Sequence, residues 1–87
     1  MRKTDFEARI RQTGATIEDL GVYLGKNVAI PHAIGIYRTG RGWVVYENPE
    51  HGRPLATRFR NESEAYEYLW SILVIRRRFL QEEVFDI

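Results

Sequence analysis

Two histidines, a run of three glutamates, one glycine-flanked arginine and a set of tyrosines and arginines are the residues whose types could do chemistry here. His32 and His51 are the only histidines, and there is no cysteine. The histidines fall in separate segments, with no serine or aspartate spaced to build a nucleophile–base pair, so they read as a strand-entry histidine, His32, and a turn histidine, His51. Without cysteine there is no disulfide, thiolate metal site or cysteine nucleophile. Glu62, Glu64 and Glu67 open an amphipathic run. They read as a capping and solvent face before an acid/base pair. Gly40-Arg41-Gly42 lacks the spacing and the lysine of a phosphate loop and leads into a strand rather than a helix. A hairpin turn explains it. No catalytic residue, no metal ligand set and no cofactor is therefore expected.

Tyr37, Tyr46 and Arg58 are harder to assign to structure alone. They share one predicted sheet face. Aromatic rings beside a guanidinium grip single-stranded nucleic acid, and the same residue types dominate protein–protein hot spots. This face is either open to a partner or covered by the N-terminal segment. Arg76-Arg77-Arg78 reads either as a phosphate contact or as a solvated basic helix end. Thirteen Lys+Arg against twelve Asp+Glu leave a net charge of +1, without the basic excess expected of a nucleic-acid binder.

The elements that would position these residues follow from local pattern. Gly42-Trp43-Val44-Val45-Tyr46-Glu47 is the most strand-like run, rich in aromatic and β-branched residues. It is predicted as the middle strand of a three-stranded antiparallel meander, with strands at Ala33–Arg38, Gly42–Glu47 and Leu55–Phe59. With Gly40-Arg41 at the centre of the first turn, Ile36 lies opposite Val45 and Tyr37 opposite Val44. One face then carries Ile34, Ile36, Trp43 and Val45; the other carries Tyr37, Val44 and Tyr46. The second turn, Asn48 to Gly52, has proline early and glycine late, as a tight turn requires.

Thr4 to Gln12 is predicted as a helix capped by Thr4 with Glu7 at the box position, stopped by Gly14. Thr16 to Leu20 reads as a further helical turn. Val22-Tyr23-Leu24 is left open between strand and irregular structure. Asn61 caps a long final helix, with Glu64 at the box position. Ala65, Leu69, Ile72, Leu73, Arg76 and Leu80 follow its spacing. Tyr66, Trp70 and Val74 widen the stripe, so both the sheet and the first helix are expected against it. Residues 81–87 are expected to be a loosely ordered tail.

Eighty-seven residues make a single domain, 1–87, of class α+β. The most apolar run, Tyr68 to Ile75, is far too short to span a bilayer. No apolar stretch of signal-peptide length follows the first residues. A small domain without disulfides points to the cytoplasm.

Taken together, Gly42-Trp43-Val44-Val45-Tyr46-Glu47, Glu50-His51-Gly52 and Phe59-Arg60-Asn61-Glu62-Ser63-Glu64-Ala65-Tyr66-Glu67-Tyr68-Leu69 form a pattern. It is a G-W-x-V-Y strand, an E-x-G turn and an F-x-S/N-E-x-E-A-x-x-Y/F-L helix start. The pattern resembles small immunity proteins of bacterial polymorphic and contact-dependent-inhibition toxin systems, over roughly residues 20 to 75. The basic and apolar stretch after Val74 departs from it. The resemblance implies a cytoplasmic, non-enzymatic protein that binds a cognate toxin domain one-to-one, as a monomer, and blocks its active site or substrate surface. Tyr37, Tyr46 and Arg58 would be anchors, with Glu47 and Glu50 at the rim against a toxin's basic residues. The competing expectations are a small nucleic-acid-binding or regulatory module using the tyrosine/arginine face, and an accessory subunit of a larger complex.

Overall fold

The computed structural model describes residues 1–76. In chain order its elements are α1 (Lys3–Gln12), β1 (Val22–Leu24), β2 (Ile34–Thr39), β3 (Gly42–Glu47), β4 (Leu55–Phe59) and α2 (Glu62–Arg76). The class is α+β, as expected, but the sheet has four strands rather than three, in the order β1-β2-β3-β4. Val22–Leu24 is the additional strand. It pairs parallel to β2 through Val22 with Ile34 and Leu24 with Ile36, which makes the sheet mixed.

The β2–β3 and β3–β4 pairs are antiparallel, with Ile36 opposite Val45 and Tyr37 opposite Val44, as the hairpin argument requires. Alternation then places Ile34, Ile36 and Val45 in one core with Phe6, Ile10, Ala65, Tyr66, Leu69 and Leu73, and packs Trp43 and Phe59 against it. Both helices lie on this face. Phe6 meets the edges of Tyr66 and Trp70 at ring-centroid distances of 5.6 and 6.3 Å. The wide apolar stripe on α2 thus serves the sheet and α1 together.

The helix starts differ in one respect. Asn61 accepts the Glu64 N–H at 2.9 Å, the predicted cap of α2. Helix α1 begins one residue before Thr4: Arg2 is the N-cap residue, and its N–H donates to the Asp5 carboxylate at 2.9 Å. Asp5 therefore does what was expected of Glu7, satisfying a free N–H at the positive helix end. Arg77, Arg78, Leu80 and the 81–87 tail lie outside the described residues. No described helix is long and apolar enough to cross a membrane.

Candidate functional site

Strands β1 and β2 run parallel, so the chain between them must return along the sheet. Residues 25–33 make this crossover without a helix. Gly25, at φ 79°, turns the chain out of β1, and its N–H bonds the Ile36 carbonyl at 2.7 Å. Two side chains of β3 and its exit then fasten the crossover. The Tyr46 hydroxyl donates to the Lys26 carbonyl at 2.6 Å and accepts from the Val28 N–H at 3.2 Å. Asn48 Nδ2 donates to the carbonyls of Val28 and Ile30 at 2.8 and 2.9 Å. The Asn48 N–H bonds the Ala33 carbonyl at 2.8 Å, and its own carbonyl receives the His32 N–H.

This corrects the reading of Tyr46. It is 2% exposed, and its outer edge is tied to main chain rather than offered to a partner. Gly35 is the reason it can lie there. A Cβ on Gly35 would overlap the Tyr46 hydroxyl and ring, so only glycine lets the ring cross β2 toward the crossover. Burial raises the Tyr46 pKa above 10.0, opposed by the hydrogen bond from Val28 and aided by the nearby Tyr23 and Tyr37. Neither half of the earlier alternative holds for the whole face: α1 packs on α2, and it is the crossover that takes Tyr46 out of reach.

Tyr37 and Arg58 stay on this face in one cross-strand row, since Tyr37 pairs with Val44 and Val44 with Arg58. Two strand spacings separate them, about 10 Å. Tyr37 is half-buried, with its ring 5.8 Å from that of Tyr46. Arg58 is exposed. Three other arginines are committed: Arg76 Nε to Glu47 at 2.8 Å, Arg9 over Trp70 at 5.4 Å, Arg38 over Trp43 at 5.9 Å. The Arg58 guanidinium has no such partner among the described residues.

Glu47 and Glu50 lie elsewhere. Glu47 has the parity of Trp43 and Val45, so it faces the α2 side, where Arg76 holds it. Glu50 is exposed in the β3–β4 turn, and the two acids line a shallow depression with His32, Asn48, Leu55 and Arg76. The structure therefore divides the five expected partner-binding residues into three settings. Tyr37 and Arg58 form a row, Tyr46 is a buried tie, and Glu47 with Glu50 mark the opposite end of β3.

His32 sits at φ 68° after Pro31, with the Ala33 N–H bonded to the Ile30 carbonyl. That is a type II turn with histidine at the position glycine usually takes. No group of three or more acidic or histidine ligands that could hold a metal occurs among the described residues. Asn48 is the residue that sequence reasoning missed. In the sequence it opens the second turn, yet it is 7% exposed and its side chain and main chain both bind the crossover. Comparison with protein-family models, curated proteins and solved structures gives no match.

Proposed function

We propose that the chain is a bacterial immunity protein that acts in the cytoplasm and neutralises a cognate toxin domain by binding it, without catalysis. The resemblance of the G-W-x-V-Y strand, the turn and the Asn61-capped helix start supports this reading. The single structural observation that carries it is the Tyr37–Val44–Arg58 row. It sets an aromatic ring, packed against Tyr46, beside an exposed guanidinium with no partner among the described residues, the residue types that dominate interface energetics. Glu50 stands apart as a rim acid, and Glu47 is tempered by Arg76.

The reading predicts a toxin domain encoded beside this chain's gene, and that domain would be the probe. Tyr37→Ala and Arg58→Ala are each expected to weaken binding by about 2 kcal/mol, roughly thirtyfold in dissociation constant by calorimetry. Glu50→Ala should chiefly slow association and lower its salt dependence. Affinity unchanged by the Tyr37→Ala/Arg58→Ala pair would reject this surface. Exposed Arg53, Arg58 and Arg60 favour the second reading, a single-strand nucleic-acid binder. That reading requires oligonucleotide binding that collapses as salt rises. Such binding with no protein partner would replace the immunity reading.

A further inference from the structure

Among the described residues strand β4 is an edge, and the main-chain groups it leaves without a strand partner can be assigned. The Asn48 N–H bonds the Ala33 carbonyl. With Ala33 and Asn48 a hydrogen-bonded pair, strict alternation makes the even-numbered residues of β3 bond β2 and the odd-numbered ones bond β4. The other side of β2 agrees, since Ile34 N–H bonds Gly21 and Ile36 carbonyl receives Gly25, both toward β1. Leu55, Thr57 and Phe59 therefore direct their main chain to β3 through Glu47, Val45 and Trp43. Ala56 and Arg58 direct theirs outward.

The same edge collects apolar surface. Leu55 is 64% exposed, Tyr68 38% and Ile75 63%, three of the four large hydrophobic residues exposed among those described. They line one groove between β4 and α2, with Thr57 and Ile72. Polar strand edges next to bare apolar groups are where another strand adds.

The geometry points to a second copy of this chain as the occupant, with the two β4 strands antiparallel about a two-fold axis at Thr57. Only this register suits both chains. Ala56 then faces Arg58 of the mate, and each outward N–H and C=O of both residues finds a partner. Centring the axis on Ala56 would set Arg58 opposite Pro54, which has no N–H to give. Centring it on Arg58 would place two guanidinium groups directly opposite each other. In the Thr57 register Leu55 opposes Phe59 of the mate on the α2 side, an aliphatic–aromatic pair in the closer, non-hydrogen-bonded setting. Tyr68 and Ile75 of both α2 helices face the same seam. Two four-stranded sheets become one. Each Tyr37–Arg58 row stays exposed, so the pairing is compatible with one toxin domain per chain and does not depend on that reading.

Sedimentation equilibrium of the full chain without any partner tests this, at concentrations up to roughly 100 μM, a hundredfold above a micromolar dissociation constant. The expected mass is twice the 10.3 kDa chain. Thr57→Lys sets like charges against each other on the axis and should return the mass to that of one chain, as should Leu55→Glu if the first variant fails to fold. Because the chain has no cysteine, Thr57→Cys gives a clean cross-link. A non-hydrogen-bonded pair brings Cα atoms to about 4.5 Å, within disulfide reach. Thr57→Cys should link two chains on mild oxidation, and Arg41→Cys at the hairpin tip should not. A monomeric wild-type chain across the whole range overturns the proposal. So does a dimer that Thr57→Lys leaves intact and Thr57→Cys does not link.

Discussion

The two faces of the sheet are sealed by different physics. On the helix side, Ile34, Ile36 and Val45 meet Leu69, Leu73, Phe6 and Ile10, and apolar burial does the work. On the other side, an irregular crossover is laid down and tied by one phenol and one amide. Non-directional burial tolerates imprecise placement, whereas the ties depend on particular atoms within hydrogen-bond reach. Substitutions of similar size should therefore fail in different ways on the two faces.

The largest effect belongs to the helix face. Leu69 is fully buried, and Leu69→Ala is expected to cost about 2–5 kcal/mol in denaturant unfolding. A loss below about 1 kcal/mol would mean that this face is not the main core. Next is Gly35→Ala. Its methyl group meets the Tyr46 ring, so the crossover must lift or the ring must leave its place. About 1–3 kcal/mol is expected, together with faster proteolysis within residues 26–30. The same loss without new cleavage there would dissociate Gly35 from the crossover.

Alkaline pH probes both faces together. Burial pushes Tyr66 up to about 12, with Glu62 and Glu7 adding to the effect, and raises Tyr46 above 10.0. The folded chain binds both phenolic protons more tightly than the unfolded chain does. The stability they contribute is complete below about pH 10 and is lost as pH rises through about 12. Unfolding free energy should fall across that window, and Tyr46→Phe should remove only the crossover's share. A stability flat from pH 9 to about 12 would contradict the burial of both rings.

Legibility in sequence divides along the same line. Period-two alternation and the hairpin turn sufficed for the Ile36–Val45 and Tyr37–Val44 register, and the Asn61 cap with helical spacing sufficed for α2. Those signals are local and periodic. Strand β1 was not legible, because three residues pair in parallel with a strand that follows only after a crossover. Tyr46 was read as an anchor because its alternation is correct; what alternation cannot show is a hydroxyl bonded to main chain eighteen and twenty residues earlier. The one sign was Gly35 within a strand, a mark of close approach. Glu47 followed the same limit, since its partner Arg76 is distant in sequence.

The smallest expected loss of stability is also the most direct test. Tyr46→Phe keeps the ring and removes the hydroxyl, at a cost of about 1 kcal/mol. The decisive measurement is amide hydrogen exchange at Val28, whose N–H has the Tyr46 hydroxyl as its acceptor. In the wild-type chain Val28 should be protected, and Tyr46→Phe should abolish that protection while leaving Val45, on the helix face, as slow as before. A Val28 amide that already exchanges freely in the wild-type chain would contradict the account.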